Sequence, residues 1–136
     1  MNKNFTYLTL CVASAMSILI LGLNGNFDDA YAQGNQVEVS IVNGSATLTE
    51  NGYDPDPVQV KVGQTVVWTN NDIAFHTVTS GLPGDPDAGA LFDSGIEGPT
   101  ALTGPGTTFE HTFDTAGEFD YHCTLHPALV GKVIVT

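Results

Sequence analysis

A chain of 136 residues that carries 15 acidic and only three basic side chains, for a formal net charge of −12, is long enough for one domain with a real core and too short for two. Its acidity makes nucleic acid and anionic membrane surfaces poor partners. The charge serves solubility, a docking surface aimed at a basic partner, or both.

At the start of the chain Lys3 precedes an apolar run over residues 7–23, then polar residues 24–29, then Ala30-Tyr31-Ala32, the small-x-small pattern that a secretory peptidase reads. Residues 1–32 are expected to be a signal peptide and residues 33–136 one mature domain. The competing expectation is an uncleaved membrane anchor, since a run of about 17 apolar-leaning residues stands at the lower limit for a spanning helix. Both place the folded part outside the cytoplasm, in a periplasmic, pseudoperiplasmic or extracellular space, with membrane contact only if the segment stays. Cys11 lies inside the apolar run and reads as a hydrophobe. Cys123 is then the lone thiol of the mature part, a liability in an oxidising compartment that a bound metal would remove.

Beyond residue 33 the pattern is strands divided by turns, with no convincing helix and no internal repeat. Val37, Val39 and Ile41 alternate with polar neighbours, and Asn43-Gly44 signals a turn. The triplet Asn43-Gly44-Ser45 also matches a glycosylation acceptor, for which a plain turn is the preferred explanation. Val58, Val60 and Val62 alternate again, and Gly63 turns the chain into residues 65–70 with Trp68. Residues 76–80, 108–113, 117–123 and 131–135 complete about seven strands, a count typical of an all-β Greek-key sandwich. Residues 81–106, rich in Gly, Pro and Ala, exceed the usual length of a structureless connection, so a short strand is expected near residues 90–96. Asp85, Asp87, Asp93 and Glu97 fall in this stretch without a lysine, which concentrates negative potential on one flank.

Side-chain alternation sorts the candidate ligands. Phe119, Tyr121 and Cys123 share one face, which is apolar and must be the core, whereas Asp120 and His122 share the other. His122 is therefore expected to point away from any metal, as a surface histidine. His111 shares a face with Phe109 and Phe113 and reads as a core histidine, placed opposite Tyr121 if the turn at residues 114–117 closes a hairpin. That leaves His76, at the head of a strand, with Cys123 and, three residues on, His126 in a tight turn. Two imidazoles and a thiolate are the trigonal ligand set of blue-copper electron-transfer sites. Zinc is the chemical competitor, but a closed structural zinc site wants a fourth protein donor, and both remaining histidines are badly placed for that role.

From about Val37 onward, the stretches Y-D-P-D-P-V-Q-V-K-V-G-Q-T-V-V-W-T-N-N-D, H-T-V-T-S-G, L-F-D-S-G and T-F-D-T-A-G-E-F-D-Y-H-C-T-L-H-P resemble a cupredoxin of the plastocyanin, amicyanin and halocyanin type. The resemblance implies an eight-stranded β-sandwich, one copper ion held by His76 on one loop and by Cys123 and His126 on the loop between the last two strands, and electron exit at His126 through an apolar patch near Pro127 and Ala128. It also locates two departures. Where such proteins place an axial methionine, three residues past the second loop ligand, this chain has Leu129, which cannot coordinate copper; Met1 and Met16, its only methionines, lie in the export segment. Leu129 either seals the axial position or leaves it open. Where proline often stands between the cysteine and the histidine, Leu125 restores a backbone N–H that can face the Cys123 sulfur, as can that of Thr77. Thr77, Thr124 and Leu125 are thus expected to surround the thiolate. Both departures favour Cu(I) over Cu(II) and predict a higher potential than in a methionine-ligated relative.

The leading functional expectation is a small exported carrier of single electrons between redox protein partners, one of them with a basic docking surface. The alternative is a copper redox enzyme that acts on a small molecule, such as a nitrogen oxide or an oxygen species, at an open axial position. Copper delivery or storage ranks last, because a Cu(I) carrier would expose several Met or Cys donors and the mature chain has no methionine.

Overall fold

A computed structural model of the chain describes residues 34–48 and 50–136. The expected export segment, residues 1–32 with Cys11, lies outside the described residues. The order of elements is β1 (Gln36–Ile41), a single 3-10 turn (Ser45–Thr47), β2 (Tyr53–Asp54), β3 (Val58–Val60), β4 (Thr65–Asn70), β5 (Thr79–Ser80), β6 (Thr108–Thr112), β7 (Gly117–His122) and β8 (Val130–Val135). They form two four-stranded sheets, β2-β1-β4-β6 and β3-β8-β7-β5. The all-β sandwich expected from the alternating pattern is borne out. β1 pairs with β4 in parallel, from Gln36 opposite Thr65 to Ile41 opposite Asn70, and β3 pairs with β8 in parallel, so both sheets are mixed.

The period of two explains the core. Val39 and Ile41 of β1, Val66 and Trp68 of β4, Val58 and Val60 of β3, Tyr121 of β7 and Val133 and Val135 of β8 all turn inward and are buried. Each such side chain contributes roughly 1.5–3 kcal/mol by leaving water. Trp68 is central: its ring stacks on Phe92 and Phe109, each at 5.8 Å between centroids, and meets Tyr121 edge-on at 5.4 Å. The inner faces of both sheets therefore converge below the end of the sandwich where β7 delivers Cys123.

Several expectations need correction. β6 and β7 do not form a hairpin: β6 pairs with β4, while β7 pairs with β8 and β5. His111 accordingly stands opposite Val66, not Tyr121, and packs between Phe92 and Phe113 at 4.8 Å from each. The turn between β6 and β7 carries the chain from one sheet to the other, helped by Gly117 at φ 151°, a backbone conformation that side chains disfavour. Residues 90–96 form no strand; Asp93 makes only an isolated bridge to Thr79. His76 likewise sits in an isolated bridge, to Leu102, ahead of the two-residue β5. The stretch is instead tied back to β5 and its approach by serine side chains: Ser94 Oγ takes the Val78 N–H at 3.0 Å and Ser80 Oγ takes the Leu91 N–H at 3.1 Å.

Candidate metal centre

Two loops meet at one end of the sandwich. The first follows β4 and is held by Asn70, buried, whose side-chain amide donates to the carbonyls of Ala74 and Leu102 at 2.9 and 3.0 Å and accepts the Asp72 N–H at 2.9 Å. The second follows β7 and is a tight turn: the Cys123 N–H donates to the Leu129 carbonyl at 3.0 Å, and the Leu129 N–H to the His126 carbonyl at 2.8 Å. The first loop presents His76, the second Cys123 and His126.

The ligand atoms of these three residues all lie within 4.8 Å of one another, and among the described residues no fourth histidine, cysteine or carboxylate joins them. Cys123 Sγ is 3.7 Å from His76 Nδ1 and 3.5 Å from His126 Nδ1. His76 and Cys123 are buried, at 1% and 0% exposure, while His126 is half-buried. Beside it Leu125, Pro127 and Ala128 are exposed.

The thiol is prepared for ionisation. Burial pushes Cys123 up, but hydrogen bonding from His76, the Thr77 N–H, His126 and the Leu125 N–H outweighs it and brings the thiol down to about 6. The Thr77 N–H lies 3.3 Å from the sulfur. Thr124 holds the two loops together: its N–H donates to Thr77 Oγ1 at 2.8 Å, and its hydroxyl lies 3.2 Å from the same oxygen. Thr77 Oγ1 in turn pairs with Thr79 Oγ1 at 2.9 Å, and Tyr53 Oη donates to the Thr77 carbonyl at 3.1 Å. Thr77, Thr124 and Leu125 thus all meet the thiolate or its supports.

A soft thiolate and two imidazole Nδ1 atoms converging on one small volume suit a copper ion, and the missing fourth donor argues against a closed zinc site. Leu129 is 1% exposed. His122 takes no part in the group, in keeping with its side-chain parity. It is not on the surface, however: at 5% exposure it is buried, and its Nδ1 donates to the Gly81 carbonyl at 2.7 Å. β5 pairs Thr79 with His122 within the sheet, and the chain just beyond β5 brings the Gly81 carbonyl to the ring that parity alone left open to water.

Two residues at the centre were not singled out from the sequence. Asp72, buried, places Oδ2 at 2.9 Å from His76 Nε2, and Ser45, also buried, places Oγ at 3.1 Å from the same nitrogen. Burial pushes the Asp72 carboxyl up, but hydrogen bonds from His76 and the N–H groups of Gly44, Ala46 and Ile73 hold it well below the usual carboxylate range. Burial pushes the His76 imidazole down, and Cys123 and Asp72 together more than reverse this. The available signals were an acid four residues before a candidate ligand histidine, and a serine inside the Asn43-Gly44 turn that looked merely local.

Comparison with known proteins agrees with this arrangement. Residues 36–136 match the family described as copper binding proteins, plastocyanin/azurin family. Amicyanin of Paracoccus denitrificans is 39% identical over 87 residues, covering 61% of this chain and 57% of that protein. Halocyanin of Natronomonas pharaonis is 37% identical over 105 residues, covering 74% of this chain and 57% of that protein. The chain thus spans little more than half the length of these relatives. Among solved structures, a purple cupredoxin from Nitrosopumilus maritimus is similar with a TM-score of 0.62 and 35% identity, covering 73% of this chain and 98% of that one.

Proposed function

The chain belongs to the plastocyanin/azurin family of copper binding proteins, and on that premise we propose that it holds one copper ion with His76, Cys123 and His126 and passes single electrons between redox partner proteins outside the cytoplasm. The observation that carries this reading is the convergence of His76, Cys123 and His126 ligand atoms within 4.8 Å, two of the residues buried and the third half-buried. Copper bound there supplies a one-electron couple between Cu(I) and Cu(II).

The protein's own residues do the rest. The turn that carries Cys123 and His126 is closed by the hydrogen bonds to Leu129, and the loop that carries His76 is locked by Asn70, so neither ligand loop need rearrange when charge changes. The N–H groups of Thr77 and Leu125 draw charge from the Cys123 sulfur and favour the reduced state. The half-buried imidazole of His126, between exposed Leu125 and Pro127, gives electrons a short path to a partner. Among the described residues no helix is long and apolar enough to cross a membrane.

The burial of Leu129 supports electron transfer over small-molecule chemistry, which needs a path for the reactant to the metal. The test is to load the purified protein with Cu(II), record visible and spin-resonance spectra, and titrate with a reductant. An intense thiolate-to-copper band that bleaches and returns with one electron per protein is the expected result; a copper adduct without that band defeats the reading.

A further inference from the structure

We propose that Asp72 is a positioning residue for His76: it fixes the ring nitrogen that faces the metal and, as a buried negative charge, biases the site toward the dipositive ion. The proposal rests on the copper reading above and deepens it.

The geometry is specific. Asp72 Oδ1 accepts the N–H groups of Ile73 at 2.8 Å and Gly44 at 3.1 Å, and Oδ2 accepts the Ala46 N–H at 3.2 Å and the Ser45 hydroxyl at 3.3 Å. With donors on both oxygens there is no place for a carboxyl proton, and an ionised carboxylate can only accept. The His76 Nε2 that lies 2.9 Å from Oδ2 must therefore carry the hydrogen. The lone pair is left on Nδ1, the atom that faces Cys123 Sγ. Without this partner the imidazole could hold its proton on either nitrogen, and one of those forms cannot bind a metal through Nδ1.

The charge has a second effect. Among the described residues the only ion pair Asp72 makes is with His76, and Lys132 is engaged by Glu118 and Asp120. A carboxylate on the remote nitrogen makes an imidazole a stronger donor. In a buried setting its negative charge favours the ion of higher charge. Asp72 thus opposes the Thr77 and Leu125 N–H groups, which favour Cu(I). Asp72 also ties the 3-10 turn to the His76 loop across 26 to 28 residues of sequence, so a purely structural role would show as lost stability alone.

The test compares the copper-loaded wild type with Asp72→Asn and Asp72→Glu. The asparagine variant should prefer Cu(I) over Cu(II) by about tenfold more than wild type, an upward shift of about 59 mV for a one-electron couple, and Asp72→Glu should restore most of it. A folded Asp72→Asn protein whose preference stays within about twofold of wild type overturns the proposal, whatever its stability. Should the asparagine variant not fold, nitrogen-15 NMR of the wild-type Cu(I) protein decides. A slowly exchanging, downfield Nε2–H of His76 supports the proposal, and a rapidly exchanging or absent one overturns it. A wild type without the thiolate–copper band would instead sink the copper reading itself, so the two failures are distinguishable.

Discussion

Leu129 fills the space directly above Gly52: a β-carbon on Gly52 would collide with Leu129 Cδ1 and would press on the Cβ of Ser45 at 3.3 Å. Leu129 is therefore seated in a notch made by a glycine that precedes β2. Gly52→Ala is expected to displace Leu129 and cost about 1–3 kcal/mol of stability. Because Leu129 belongs to the turn that carries Cys123 and His126, the visible band should shift as well. Urea unfolding and a spectrum of the copper form check both, and an unchanged pair would show that the notch is irrelevant.

Cys123→Ser should abolish the thiolate-to-copper colour entirely. His122→Ala should spare the colour, since His122 is directed at the Gly81 carbonyl, yet lower stability by about 1–3 kcal/mol through the lost buried hydrogen bond. Bleaching in His122→Ala as complete as in His126→Ala would refute the ligand assignment.

Leu129→Met is close to volume-conserving and should change stability by less than about 1.5 kcal/mol. If the thioether reaches the metal, the potential should fall, by about 59 mV for each tenfold gain in relative Cu(II) affinity. Azide or nitric oxide added to the wild-type Cu(II) protein is expected to leave the spectrum unchanged, given the burial of Leu129. A saturable spectral change with either ligand would revive the small-molecule reading.

Asp85, Asp87, Glu118 and Asp120 line one surface depression, and Lys132, paired with Glu118 at 2.7 Å and 3.6 Å from Asp120, offsets only part of that charge. Electron exchange with a basic partner should accordingly slow by about tenfold or more as ionic strength rises from about 0.01 M to about 0.5 M. Stopped-flow rates that do not respond to salt would leave the acidity as a solubility feature only.

The sequence by itself determined the sandwich class, the alternation of β1 and β3, the inward face of β7, and the three candidate ligands. Those features follow from local rules: a period of two decides which side chains face the core, and a Cys-x-x-His spacing brings two donors into one turn. The tertiary structure alone decided which strands pair. β6 joins β4 and not its neighbour β7, because hydrogen-bond partners are chosen by packing two sheets around Trp68, and no local pattern records that choice. The same reason moved His122 from the surface to the interior, where its ring meets the Gly81 carbonyl from a segment 41 residues away. It also joined Ser45 and Asp72, 27 residues apart, beneath His76, and seated Leu129 over Gly52. The candidate ligands Cys123 and His126 were legible because spacing within one segment sets them, and His76 because it heads a separate alternating run. Their supports were not, because a buried carboxylate and a glycine notch acquire meaning only from residues that folding brings to them.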